Sequence, residues 1–255
     1  PTEEFRGKSG AGAYGDYVVQ TDDAVGKILQ ALKQKGLADN TIVIFSSDNG
    51  AEQFAYERIR VSKHNSSGSF RGVKRDLWEG GHHIPFLVRW PGVVPAGRVA
   101  NGLISQIDLY ATIAAAIGKK PAANAAEDSI NQLPFFKGGE SQRTTLVHNT
   151  QKEGYAIRSG DWLLVDAPTG AVTKVPSWYD EQFGYDSKPG NGELYNMKDD
   201  RAQKVNLIEK NPEKVKELRD QLQSILDTKK KKAQSSPPNQ KKKQGAPASG
   251  DDPET

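Results

Sequence analysis

Apolar and polar positions change their rhythm several times along the chain. Between Gly15 and Gly36, the residues Val18, Val25, Ile28, Leu29 and Leu32 recur at helical spacing and predict an amphipathic helix. Asp16 is a candidate cap at its start, and Gly36 a left-handed stop at its end. Residues 41–47 form a continuous β-branched and aromatic run, the pattern of a strand buried on both faces of a parallel sheet. Residues 84–90 predict a second strand, with Pro85 near its start where a missing N–H is tolerated. Residues 105–117 predict a helix packed through Ile107, Leu109, Ile113 and Ile117. Helix, strand, long loop, strand and helix in this order is α/β organisation.

From about residue 142 the pattern becomes antiparallel. Residues 155–165 read as a β-hairpin turning near residues 159–161, and residues 193–196 as a short strand. Asn211-Pro212 opens a helix to about Leu226, striped by Val215, Leu218, Leu222, Ile225 and Leu226. The expected division is therefore an α/β part over residues 1–140 and a small α+β subdomain over residues 141–227. Residues 228–255, rich in lysine and almost without apolar side chains, predict a disordered tail.

Composition sharpens this picture in three places. A chain of 255 residues with 35% hydrophobic positions is long enough to bury a core. The absence of cysteine removes thiol nucleophiles, zinc–thiolate sites and iron–sulfur ligation from this chain. The net charge of +3 belongs to the tail, where seven lysines face three acidic residues; the remaining 28 basic and 29 acidic residues nearly cancel. The basic balance is thus no argument for a nucleic-acid-binding fold. No apolar run approaches the roughly 18 residues that span a bilayer. The opening stretch, without Met or a leader pattern, reads as mid-chain loop, and an N-terminal part of a larger protein is expected before it.

Candidate chemistry concentrates in the connection over residues 48–83, far longer than the roughly 2–6 residues usual between a strand and its neighbour. Ser47-Asp48-Asn49-Gly50 stands at the carboxyl end of the first strand, where open α/β sheets bind ligands. Asp48 and Asn49 offer two adjacent hard oxygens suited to Ca²⁺ or Mg²⁺, although Asp-Asn-Gly is equally common turn chemistry. Lys74, in Arg71-Gly-Val-Lys74, is either a cation held against a tetrahedral oxyanion or a solvated surface lysine. Glu79 is expected to support the loop. His64 lies in a polar stretch and is as much a solvated residue as a substrate contact. His82 and His83 precede a strand, point to opposite faces and are not expected to share a metal. His148 is isolated. Asp22 and Asp23 read as surface or capping residues. Trp162 reads as core, while Trp178, Tyr179 and Tyr185 are either core or a sugar-binding surface.

The stretches YGDYVVQTDDAVGKILQALKQKGLADNTIVIFSSDNG, SSGSFRGVKRDLWEGGHHIPFLVRWPG and SQIDLYATIAAAIGKKP, followed by AIRSGDWLLV and ELYNMKDDRAQKVNLIEKNPEKVKELRDQL, resemble in order the type I, formylglycine-dependent sulfatases. This resemblance implies an alkaline-phosphatase-like α/β fold and hydrolysis of a sulfate ester of an aryl or glycan substrate. It implies that Asp48 and Asn49 are half of a Ca²⁺ site and that Lys74 grips the sulfate and its bridging oxygen. The family's nucleophile comes from a C/S-x-P-x-R motif, which this chain lacks. The resemblance therefore places the nucleophile and the remaining ligands in a preceding half, leaving this segment alone inactive. It also favours a periplasmic or secreted protein. Relatives usually carry Arg-Val-Pro after the glycine pair; His83-Ile84-Pro85 departs from that pattern.

Three rival readings stand beside it. A phosphatase or phosphodiesterase of the same superfamily is disfavoured by Asn49, where a zinc pair wants imidazole. A non-catalytic module binding sulfated glycans fits a chain without a nucleophile. The lysine tail either attracts polyanions or is simply solvated.

Overall fold

A computed structural model describes residues 1–122, 124–150 and 154–235. Helix α1 covers Gly12–Gln34, strand β1 Val43–Ser46, helix α2 Ala55–Ser62, helix α3 Glu79–His82 and strand β2 Phe86–Arg89. Helices α4 (Asp108–Ala116) and α5 (Leu133–Phe136) follow, then β3 (Thr145–Asn149), β4 (Tyr155–Ser159) and β5 (Trp162–Asp166). Helix α6 (Ser177–Phe183), strand β6 (Glu193–Asn196) and helix α7 (Pro212–Ser235) complete the described elements. Among the described residues, no helix is long and apolar enough to cross a membrane.

The second sheet, β3-β4-β5-β6, is antiparallel throughout. Its strands are apolar on both faces, and the period-2 alternation sends successive side chains into two different cores. Ile157, Leu164 and Leu194 meet Val215, Leu218 and Leu222 of α7. Ala156, Leu163, Val165 and Tyr195, between them in sequence, meet Leu77 and Trp78 from the long loop. The sheet therefore lies between a helix and a loop. Two side chains assigned by sequence to the α/β part are buried in the core of the second sheet. The hairpin turns at Gly160, which has φ +55° between the paired residues Ser159 and Trp162.

The first sheet departs from expectation. β1 was expected in a parallel sheet and buried on both faces; it pairs antiparallel with β2, from Val43 opposite Arg89 to Ser46 opposite Phe86. Phe45 of β1 and Leu87 of β2 are exposed, as are Val18 and Ile28 of α1. The residues expected to pack α4 behave likewise: Ile107, Ile113 and Ile117 are exposed, while Asp108, Ala111 and Thr112 face inward. Inside, a buried ion pair replaces apolar packing. Arg143 donates Nε to Asp108 Oδ2 at 2.9 Å and a second N–H to Oδ1 at 2.5 Å, joining α4 to the segment leading into β3.

Asp16 does not cap α1, which begins four residues earlier. Its carboxylate accepts the amides of Gly7 at 2.8 Å and Ser9 at 2.9 Å, pinning the preceding loop to the helix. Helix α7 runs to Ser235, beyond the expected end at Leu226 and into the stretch read as disordered tail from residue 228. Lysine, alanine and glutamine are strong helix formers, so the periodic segment propagates past its last apolar residue. Residues 236–255 of that tail lie outside the described residues.

Candidate active site

Two loops converge at the end of β1. Residues 47–51 leave the strand, and residues 71–81 fold back against them. The amide of Gly50 donates to Gly81 O at 2.9 Å, that of Lys74 to Ala51 O at 2.8 Å, and that of Gly80 to Arg71 O at 2.7 Å. Glycine is required by contact here. A Cβ on Gly50 would stand 1.8 Å from Gly80 O, and one on Gly80 would stand 2.2 Å from Gly72 O. The two backbones touch directly, so Asp48, Asn49 and Lys74 sit on neighbouring loops whose separation is set by main-chain hydrogen bonds.

Asp48 is exposed, and its carboxylate makes no hydrogen bond or ion pair among the described residues. Asn49 donates its side-chain nitrogen to Gly50 O at 3.0 Å, leaving Oδ1 without a donor. Two adjacent oxygens, one anionic and one neutral and neither engaged, fit a hard cation that takes all-oxygen ligands. They are only part of such a set. No group of three or more His, Cys, Asp or Glu that could hold a metal occurs among the described residues.

Lys74 is half-buried, and its Nζ lies 3.3 Å from Glu52 Oε1. The other oxygen of Glu52 accepts from Arg75 at 2.7 Å. Hydrogen bonding to Arg75, then to the Gln53 amide and to Lys74, outweighs burial and draws the Glu52 carboxyl down to about 2. Glu52 thus remains an anion that orients the lysine ammonium. Sequence reasoning missed this residue, which reaches Lys74 across 22 positions and belongs to no recognisable motif.

Arg71 anchors the loop from below. It is fully buried, stacks 3.8 Å from the Trp78 ring and donates to Tyr195 Oη at 3.0 Å, Asp186 O at 2.7 Å and Ser187 Oγ at 3.0 Å. Tyr195 Oη and the Trp78 indole N–H both donate to Glu193, which also accepts the Gly170 amide at 2.9 Å. A chain of buried hydrogen bonds therefore runs from the site loop to β6. The buried Asp76 holds the tip, accepting the amides of Val73, Val172 and Thr173.

The histidines divide differently from expectation. His83 pairs with Glu79 at 2.8 Å, and Glu79 also faces Arg158, so this glutamate braces the loop. His82 ends a short helix ahead of β2, and its ring lies tilted against that of His148, with centroids 4.0 Å apart. His148 is thus no isolated residue. Burial, then the neighbouring His148, pushes His82 down to about 3, and burial lowers His148 as well. His64 is exposed and outside the convergence of loops. Trp162 packs against the core beneath α7, Tyr179 is buried, and Trp178 and Tyr185 are half-buried around it.

The architecture is an alkaline-phosphatase-like α/β fold. It superimposes with a TM-score of 0.73 on a solved structure described under the metabolism of multiple glycosaminoglycans by Bacteroides thetaiotaomicron, at 33% identity, covering 88% of this chain and 47% of that one. A sulfatase from Pseudoalteromonas sp. gives a TM-score of 0.74 at 26% identity, covering 91% and 46%. The chain belongs to the sulfatase family, whose model matches residues 2–119. It is 35% identical over 232 residues to an N-acetylgalactosamine-6-O-sulfatase of Bacteroides thetaiotaomicron, over 88% of this chain and 44% of that protein. It is 41% identical over 138 residues to the N-acetylgalactosamine-6-sulfatase of Homo sapiens, over 54% of this chain and 26% of that protein. The chain thus spans less than half the length of these relatives.

Proposed function

We propose that this chain supplies part of the active site of a Ca²⁺-dependent sulfuric ester hydrolase acting on the sulfate ester of an aryl or glycan substrate. The observation that carries the reading is the convergence of the two loops, with Lys74 N bonded to Ala51 O beside the unengaged oxygens of Asp48 and Asn49.

Asp48 and Asn49 would hold the cation, which when bound polarises a sulfate oxygen. Lys74 brings a compact positive charge to the same patch. Cleavage of a sulfate ester builds negative charge on the leaving oxygen, and a pre-placed ammonium stabilises that charge more in the transition state than in the ground state. Glu52 holds the ammonium in place before substrate arrives, and an incoming sulfate would compete for it with the same charge-assisted hydrogen bonds. The nucleophile is expected outside this chain. The N-acetylgalactosamine-6-sulfatase relatives make a sulfated sugar the favoured substrate; a periplasmic or secreted location is inferred from the family resemblance.

The test uses the full-length gene product with added Ca²⁺, comparing 4-nitrophenyl sulfate with 4-nitrophenyl phosphate. Preference for sulfate is expected; preference for phosphate overturns the reading. Lys74→Ala should lower turnover on the order of a hundredfold or more, as for loss of an oxyanion-stabilising group. Asp48→Ala should abolish Ca²⁺ binding measured by calorimetry, and retained affinity would contradict its role.

A further inference from the structure

Beside the site loops lies a cleft of about 700 Å³ between α2 and the N-terminal end of α6, lined by Gln53, Phe54, Arg60, Lys174 and Trp178 among others. A second hollow of about 450 Å³ continues past Arg60 and Trp178 to Lys63. Gln53 follows directly on Glu52, the partner of Lys74. Four peptide steps of about 3.8 Å bring the cleft within roughly 15 Å of Asn49.

Its lining combines unpaired cations with an aromatic ring. Arg60, Lys63 and Lys174 are exposed, and none makes an ion pair among the described residues. Lys74 and Arg75, by contrast, are both engaged by Glu52. Glu57 is the one carboxylate among the lining residues of both hollows, so cations outnumber anions three to one there. The Arg60 guanidinium lies 5.6 Å from the Trp178 ring centre, making cation and aromatic one continuous surface. Phe54 and Val61 add exposed apolar area. An aromatic face takes up the C–H face of a sugar ring, while unpaired cations take up its sulfate or carboxylate groups.

We propose that this cleft is a second subsite that holds a charged sugar neighbouring the one whose sulfate ester meets Lys74, so that the protein reads an anionic polysaccharide chain. The inference rests on the sulfatase reading of the Lys74 site. Exposed, unpaired cations bind a polyanion with release of its counterions, which favours association and makes it salt-dependent. Trp178, fixed by its edge contact with the buried Tyr179, supplies the rigid platform.

The test is calorimetric binding of a chondroitin sulfate octasaccharide and disaccharide to the full chain and to its Arg60→Ala/Lys174→Ala double variant. Both side chains are exposed, so the double variant should retain the wild-type thermal midpoint. The lysine-rich tail is present in both proteins and cancels in the comparison. The gain in affinity from disaccharide to octasaccharide is expected to shrink about tenfold in the double variant, with a shallower salt dependence. Trp178→Phe should retain most of that gain, and Trp178→Ala should not. An unchanged gain in the double variant overturns the subsite. An equal loss of affinity for a single-stranded oligonucleotide of matched charge also overturns it, because the cleft would then be a general polyanion surface. Failure of the underlying reading shows separately: in that case Lys74→Ala leaves disaccharide affinity unchanged whatever the cleft variants do.

Discussion

The guanidinium of Arg71 stacks 3.8 Å from the indole of Trp78, and both side chains are fully buried. The contact closes the loop carrying Lys74 on itself. It also presents Arg71 to acceptors in and just before β6, on the loop-facing side of the second sheet, and Trp78 to Glu193. The site loop is therefore held like a core element, although it has almost no regular secondary structure.

Arg71→Ala should lower unfolding free energy by about 3–5 kcal/mol, the scale for removing one member of a buried, hydrogen-bonded charged network. Arg71→Lys should recover only part of this, since an ammonium keeps the charge but neither stacks nor forks to several acceptors. Urea unfolding monitored by tryptophan fluorescence measures both. Equal stability of the lysine variant and wild type would show that charge alone matters at this position.

Gly80→Ala should be far more damaging than its single methyl group suggests. The added Cβ would stand 2.2 Å from Gly72 O and 2.5 Å from Arg71 O, both backbone atoms that cannot rotate away. The Gly50–Gly81 and Lys74–Ala51 hydrogen bonds should break as the loops separate. Hydrogen exchange at the Gly50 and Lys74 amides reports this directly, and protection equal to wild type would refute the close-contact account.

Stability should fall on mild acidification. His82 and His148 both have folded-state proton affinities below the unfolded value of about 6.5. The unfolded chain therefore binds protons first. The contribution of the pair is complete above about pH 6.5 and is lost progressively as pH drops toward the value of about 3 for His82. Asp108 acts lower down. Burial raises its carboxyl, but Arg143 and the Ile130 and Ser105 amides outweigh this and leave it lowered, so its contribution disappears only below the usual aspartate range. His82→Phe should flatten the decline in urea midpoint between pH 6.5 and 4.5. An unaltered slope would mean that other groups set it.

Much of the architecture is legible in residue order, and the exceptions share a cause. The β4–β5 hairpin, the strand at Glu193–Asn196 and the proline-led start of α7 follow from local pattern, because neighbours in sequence decide them. The apolar stripes of α1 and α4 are equally plain, yet Val18, Ile28, Ile113 and Ile117 face outward, because amphipathic spacing reports a face and not its partner. At the site, Asp48, Asn49 and Lys74 stand out by residue type beside glycines. Glu52, the His82–His148 ring contact and the buried role of Arg71 do not, since each depends on residues brought together across 22, 66 and more than 100 positions. Gly50 and Gly80 advertise a turn, whereas their structural necessity comes from the opposing backbone.

The span of the Arg71 network carries a consequence for biogenesis. Its hydrogen-bond partners lie 115, 116, 124 and 132 positions downstream. During synthesis the lysine loop leaves the ribosome long before Asp186, Tyr195 or Gln203 exists to receive the guanidinium. Closure of so long a loop is entropically costly and slow compared with local helix or hairpin formation. Until β6 docks, Arg71 and Trp78 wait in water without their partners Tyr195 and Glu193. The loops that carry Asp48, Asn49 and Lys74 therefore assume their final shape among the last events of folding. A nascent chain arrested before residue 186 would carry every residue of these loops and none of their geometry.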